Sequence, residues 1–395
     1  MKIHTKAVHA GDRKNPGSHI PVTTPIHAAS SYFYDSMEQL DRVFARTEHG
    51  YCYTRHENPT TSALEELLCA LEGGAGAAGA QACASGMAAL QLALTCALAD
   101  RRKSILAADA LYGATIGLVM NVFEATGVSV RFADIFDLDA FRGAVAQARP
   151  GCILLETISN PLLRVAEIDR IAEIARDAGA ALIVDNTFAT PLVVRPMELG
   201  AHFSVQSLTK YLNGHGDVMG GVVVTDADHL EALRALARAT GPVLGPFESY
   251  LTMRGIKTFP LRMERQCANA CRVASWLAAH PRIARVYFPG DPRHPDAAAI
   301  RRLFPANLYG AVVSFELQDA AREEIFHFMD ALKMIVRATS VGDVHSMMLY
   351  PVMSSHRELS PKHRERMGVR DNLVRLSVGI EAPEDIVADL EQALG

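Results

Sequence analysis

The chain predicts an α/β fold, with a mainly parallel sheet in a large domain and a smaller α+β C-terminal domain. Three observations carry this. Between residues 104 and 225 short apolar stretches alternate with helix-like runs, the pattern of parallel strands joined by right-handed crossovers. Past about residue 255 that alternation stops, and a long amphipathic run covers roughly 262–279. Beyond it Val312-Val313-Ser314-Phe315-Glu316-Leu317 partly alternates, like a half-exposed strand. A length of 395 residues allows two or three domains and a large core. The expected division is an arm over 1–60, an α/β domain over 61–255 and the α+β domain over 256–395, joined around Gly255 to Pro260.

Composition narrows the class. Hydrophobic residues make up 49% of the chain, yet no run approaches a membrane span. Met1-Lys2-Ile3-His4-Thr5-Lys6 lacks the apolar core of a signal peptide. A net charge of -5 leaves no electrostatic footprint for nucleic acid. The 7 cysteines include no Cys-x-x-Cys pair and no Cys/His cluster at metal spacing, so reduced thiols, no metal and a cytoplasmic location are expected.

Taken in order, residues 1 to about 60 are rich in Pro, Ser, Thr and Tyr with little helical period, which predicts an arm that wraps onto another subunit. The arm ends in Tyr51-Cys52-Tyr53-Thr54-Arg55-His56-Glu57-Asn58-Pro59-Thr60. Ser62-x-x-Glu65 then reads as a capping box, with Leu64, Leu67, Leu68 and Leu71 on one helix face and Gly73-Gly74 as the stop. Gly74-x-Gly76-x-x-Gly79 has dinucleotide-binding spacing, but that fingerprint needs a strand before it. It follows a helix instead, so a flexible connection is expected. Ser85-Gly86-Met87 opens a helical run through Leu94 and Leu98, whose free N–H groups and dipole attract phosphate.

Residues 104–107 and 128–132 read as strands around a helix-like 115–125, with Leu111-Tyr112-Gly113 between them. The strand 152–156 leads into Thr157-Ile158-Ser159-Asn160-Pro161, and Ile168, Ile171, Ile174 and Ala175 mark a helix over 165–178. Leu182-Ile183-Val184 then ends in Asp185, at the carboxyl end of a buried strand, where parallel sheets bind ligands. Between strands 203–206 and 222–225 lies Ser207-Leu208-Thr209-Lys210-Tyr211-Leu212-Asn213-Gly214, a polar loop able to hold Lys210 beside a ligand. A lysine that forms an imine and an aspartate that pairs with a pyridinium nitrogen are what pyridoxal 5'-phosphate (PLP) requires. Ser207-x-x-Lys210 also fits a serine-hydrolase pattern, but the accompanying Ser-Asp-Asn and Lys-Thr-Gly are missing.

With these blocks, and with Ser340-Val341-Gly342-Asp343 and Leu373-Val374-Arg375-Leu376-Ser377-Val378-Gly379-Ile380-Glu381, the chain from Pro25 to Glu381 resembles the PLP-dependent enzymes of cysteine and methionine metabolism. That family includes cystathionine γ-synthase, cystathionine γ-lyase, methionine γ-lyase and O-acetylhomoserine sulfhydrylase. The resemblance implies the PLP-dependent transferase fold, fold type I. It implies that Lys210 carries PLP, Asp185 pairs with the ring nitrogen, and Tyr112 stacks on the ring and transfers protons. Ser207, Thr209 and the amides of Gly86 and Met87 would hold the phosphate, completed by Tyr53 and Arg55 of a neighbouring subunit. Arg375, Asn160 and Ser340 would bind the substrate; an arginine inside an apolar strand is costly unless paired.

The implied reaction is γ-elimination on a sulfur amino acid of the cystathionine or methionine type, giving a 2-oxo acid, ammonia and a thiol. A γ-replacement enzyme is the alternative, and a catalytically idle PLP-binding protein a third reading. Ala114 stands where methionine γ-lyases carry Cys, whereas Asp343-Val344-His345-Ser346 looks closer to methionine γ-lyases and sulfhydrylases than to cystathionine enzymes. A homotetramer built from two dimers is also implied, so a monomer should be inactive.

Overall fold

The structure, a computed structural model, describes residues 1–12, 20–73, 76–357, 364 and 367–395. Its first sheet contains β1 (Gly79–Cys83), β2 (Ser104–Ala108), β3 (Ser129–Ala133), β4 (Cys152–Glu156), β5 (Ala181–Asp185), β6 (Phe203–Ser207) and β7 (Gly221–Thr225). Across the sheet the order is β1-β7-β6-β5-β4-β2-β3. Neighbours from β3 to β6 run parallel, and β7 is antiparallel to both β6 and β1. Strands β2 and β4 are buried along their whole length, as apolar strands covered on both faces must be.

The second sheet contains β8 (Ile283–Tyr287), β9 (Val312–Leu317), β10 (Val336–Arg337), β11 (Met347–Leu349) and β12 (Leu373–Ser377), ordered β10-β11-β12-β9-β8. Only its β10–β11 pair is parallel. Strand β9 is buried throughout rather than half-exposed. Its odd residues Val313, Phe315 and Leu317 enter the second core. On the other side the polar positions are satisfied: Ser314 donates to the Pro161 carbonyl at 2.6 Å, and Glu316 accepts from the Tyr287 hydroxyl at 2.5 Å. Two apolar cores result, one around each sheet. The 21-residue helix Phe259–Ala279 serves both, through Phe259, Met263 and Cys267 in the first and Ala270, Val273 and Leu277 in the second.

Several sequence expectations change. The arm is not devoid of helix, since Ile3–His9 and Met37–Phe44 are helical. The next helix begins at Pro59, where the Asn58 side chain accepts from the amides of Thr60 and Thr61. Ser62 therefore lies inside the helix, and Glu65 accepts from the Ala82 amide at 2.8 Å instead of closing a capping box. Gly73, at φ 68°, ends that helix. The glycine spacing leads into β1 at Gly79, with Gly74 outside the described residues. The helix-like 115–125 resolves into Gly113–Leu118, a π-type turn Val119–Phe123 and a tighter turn Glu124–Thr126. No helix among the described residues is long and apolar enough to cross a membrane.

Candidate active site

Parallel pairing sets the carboxyl ends of β4, β5 and β6 side by side, with Glu156 opposite Asp185 and Asp185 opposite Val205. Asp185 accepts two hydrogen bonds from Thr187, at 3.0 Å from the amide and 2.5 Å from the hydroxyl. The same Thr187 oxygen accepts from the Ser207 amide at 2.9 Å, so one hydroxyl ties the ends of β5 and β6. Loss of water raises the Asp185 pKa above the ordinary carboxylate value, against the pull of Thr187.

Lys210 follows β6 in a turn, and its Nζ donates to Ser340 Oγ at 3.0 Å. Burial, then the charge of Arg375, brings its pKa down to about 8. Arg375 sits in β12 and is only 3% exposed. Its Nη1 donates to Asn160 Oδ1 at 2.8 Å and its Nη2 to the Ser340 carbonyl at 3.5 Å, while Nε is buried without a partner. Burial lowers its pKa to about 10. No carboxylate among the described residues hydrogen-bonds this guanidinium.

Glu156 links two further residues. Its carboxylate accepts from the Tyr112 amide at 2.7 Å and from the Asn160 amide at 3.1 Å. Burial, then the neighbouring Asp185, pushes its pKa up to about 8. The Tyr112 side chain itself stays open, at 39% exposure.

A third cluster surrounds the start of the helix Gly86–Leu98, which Ser85 caps by accepting from the Ala88 amide at 3.1 Å. Space there is too small for side chains: a Cβ on Gly86 would lie 2.9 Å from Ser207 Cβ, and one on Gly221 would lie 2.2 Å from the Ser85 carbonyl oxygen. Met87 is partly buried in the first turn. The Thr209 hydroxyl accepts from the Gly220 amide at 3.0 Å and donates to its carbonyl at 3.3 Å.

Lys210, Ser340, Arg375 and Asn160 thus form one chain of hydrogen bonds, which reaches Tyr112 through Glu156. Asp185 joins Ser207 through Thr187, and Ser207 packs on Gly86. Tyr53 and Arg55 make their contacts elsewhere, the guanidinium lying 5.5 Å from the Tyr53 ring and donating to the Arg238 carbonyl. Sequence reasoning overlooked Glu156, although an acid closing an apolar strand is the same signal that singled out Asp185. It also overlooked Thr187, for which a hydroxyl two residues past Asp185 was the only hint.

Compared with known proteins, residues 4–395 match the family described as Cys/Met metabolism PLP-dependent enzyme. L-methionine gamma-lyase of Fusobacterium nucleatum subsp. polymorphum is 40% identical over 395 residues, 99% of this chain and 98% of that protein. Cystathionine gamma-synthase of Mycobacterium bovis is 41% identical over 392 residues, 99% of this chain and 96% of that one. The crystal structure of cystathionine gamma synthase from Xanthomonas oryzae pv. oryzae, in complex with aminoacrylate and cysteine, superposes with a TM-score of 0.92 at 35% identity, covering 100% of this chain and 98% of that one. The expected fold type I architecture holds. Ordered agreement over the whole length, in sequence and in fold, makes this chain a member of the PLP-dependent enzymes of cysteine and methionine metabolism.

Proposed function

We propose that the enzyme is a PLP-dependent carbon–sulfur lyase acting by γ-elimination on a sulfur amino acid of the cystathionine or methionine type. The products would be a 2-oxo acid, ammonia and a thiol. The observation that carries this is the convergence of Lys210 and Arg375 on Ser340. An amine of lowered basicity and a buried cation that no carboxylate of the described residues hydrogen-bonds suit the two ends of an α-amino acid.

The residues present fit PLP. An amine with a pKa of about 8 is partly unprotonated near neutrality, as carbonyl chemistry demands. The desolvated carboxyl of Asp185 suits a pyridine nitrogen, and the helix start at Gly86, beside Ser207 and Thr209, suits a phosphate. PLP supplies, when bound, a sink for the electrons released at the substrate Cα. Asp185 would hold the proton on the ring nitrogen. Arg375, with Asn160 and Ser340, would hold the α-carboxylate. The Lys210 amine would take the proton from Cα and pass it on, then take a second proton from Cβ as the Cγ–S bond breaks, and the Tyr112 hydroxyl would give a proton to the departing sulfur.

Tyr53 and Arg55 are assigned to the phosphate of a neighbouring subunit's cofactor, in a cytoplasmic homotetramer. Their outward placement supports this, Tyr53 being 45% exposed. The three-part division at residues 60 and 255 belongs to the same reading. A γ-replacement reaction is the second reading, favoured by the 41% identity to a cystathionine gamma-synthase. Separate assays with L-methionine, L-cystathionine and O-acetylhomoserine decide between them. Release of 2-oxobutanoate without added thiol means elimination; a new thioether only with thiol means replacement. No product and no spectral change with any of the three means a catalytically idle PLP-binding protein.

A further inference from the structure

The helix Phe259–Ala279 carries a second stripe besides its apolar one: Arg262, Gln266 and Asn269, at helical spacing i, i+4 and i+7. All three are buried, at 6%, 0% and 1% exposure. Buried polar side chains of this size are rare unless their hydrogen bonds compensate. Here the acceptors are mostly backbone carbonyls, and they belong to the segments that carry the site. Arg262 donates to the carbonyls of Tyr211 at 2.9 Å, Leu212 and Asn213 at 3.2 Å, and Gly255 at 2.9 Å, with Nε on Thr258 Oγ1 at 3.2 Å. Three of those carbonyls directly follow Lys210. Gln266 donates to the carbonyls of Asp343 at 2.7 Å, three residues past Ser340, and Val378 at 3.2 Å, three past Arg375. Asn269 donates to the carbonyls of Gly379 at 3.0 Å and Glu381 at 2.8 Å, further along the segment that leaves β12.

We infer that Arg262, Gln266 and Asn269 are positioning residues, a rigid polar ridge that fixes Lys210 on one side of the site relative to Ser340 and Arg375 on the other. Physical necessity supports the choice of side chains. The turn after Lys210 presents several carbonyls in one direction, and only a guanidinium has enough donors, in a planar fork, to meet them together. The fit is close: a Cβ on Gly214 would lie 1.8 Å from Arg262 Nη1. Gln266 uses only its amide donors, its Oε1 being buried without a partner, so its place is set by the carbonyls it holds. Because the same helix packs into both apolar cores, the ridge is anchored to each sheet independently. The segments it ties come from residues over a hundred positions apart and from different sheets; they also meet directly, through Lys210 Nζ on Ser340 and through the Val344 amide, which donates to the Gly214 carbonyl at 3.0 Å.

The inference rests on the roles proposed above for Lys210 and Arg375, and it predicts that the two ends of the ridge fail differently. Arg262→Lys releases the Lys210 turn, so kcat per bound cofactor should fall and PLP should dissociate more readily. Gln266→Met releases the Ser340 and Arg375 segments, so KM for the amino acid should rise while PLP retention is kept. A displacement of about 1 Å at a reacting centre costs on the order of a hundredfold, so changes of at least about tenfold are expected. Both variants are to be measured per bound PLP, by visible absorbance and steady-state kinetics, beside Asn269→Leu, which should follow Gln266→Met. If Arg262→Lys does not fold, the KM effect in the other two variants decides. Unchanged KM and kcat per bound PLP in the folded variants, with only the thermal midpoint lowered, would reduce the ridge to ordinary packing and overturn the inference. Turnover surviving in Lys210→Ala would instead count against the proposed function.

Discussion

A guanidinium removed from water without a hydrogen-bonded carboxylate is costly, because desolvation is not offset by an ion pair. Arg375 is such a group: its two hydrogen-bond partners are the neutral Asn160 and the Ser340 carbonyl, and Glu156 acts on it only through space. An incoming α-carboxylate would supply the missing charge. Lysine at this position keeps the charge but loses the two-pronged geometry, so Arg375→Lys should lower kcat/KM for the amino acid by about a hundredfold or more. Steady-state kinetics at saturating PLP would measure it, and an unchanged kcat/KM would remove Arg375 from substrate binding. At this scale the sequence was most informative where a chemically loaded residue stands in an apolar context: Lys210 in its glycine-punctuated loop, Asp185 at a strand end, Arg375 inside a strand. Glu156 stood in the same kind of context, an acid closing an apolar strand, and was passed over; Arg262 was not legible because its partners are mostly backbone carbonyls of a distant turn, which no local pattern announces.

Among the elements, helix starts show how a stronger local signal overrides a weaker one. Asn58-Pro59 outcompetes Ser62-x-x-Glu65, since Asn58 satisfies two free amides and Pro59 has no amide hydrogen to satisfy. Asn58 also donates to the His27 carbonyl at 2.8 Å and the Tyr32 hydroxyl at 3.1 Å, fastening the arm to the helix. Replacing it with Ala should therefore cost more than the about 1 kcal/mol of a lone cap. Chemical denaturation of Asn58→Ala would test this, and a loss below that figure would show that the arm contacts contribute nothing. Near the proposed phosphate site, Gly221→Ala must push β7 away from Ser85, and weaker PLP binding by absorbance titration is the expected result. Unaltered affinity would mean that the helix start tolerates displacement. Strands β2, β4 and β5 were readable as unbroken apolar runs. Strand β1, Gly79-Ala80-Gln81-Ala82-Cys83, was not, because it lacks β-branched and aromatic residues and owes its form to pairing with β7.

At the level of the whole molecule, buried carboxyls make stability depend on pH. Glu65 and Glu72 are each pushed up to about 7 by burial, and Glu156 to about 8. In each the folded pKa exceeds the unfolded one, so the folded state binds more protons in between. Their contribution is fully present below the unfolded value and is lost as pH rises through the folded one. For Glu72 that window runs from its ordinary value of 4.5 to about 7. Glu72→Gln removes the titration while keeping an oxygen for Ser204 and Gln206, so the fall in thermal midpoint from about pH 5 to about pH 8 should shrink. An identical slope in the variant would show that Glu72 does not titrate there. The mainly parallel character of the first sheet was legible because apolar periodicity and crossover handedness leave few arrangements. The parallel β10–β11 pair was not, with strands of two and three residues offering no period to read.

The most direct test of the account asks which amine meets the cofactor. Purified protein loaded with PLP is reduced with borohydride, digested, and the modified peptide sequenced. The label should fall on Lys210 alone, and Lys210→Ala should be colourless and inactive; a label on another lysine, or turnover in Lys210→Ala, would contradict it.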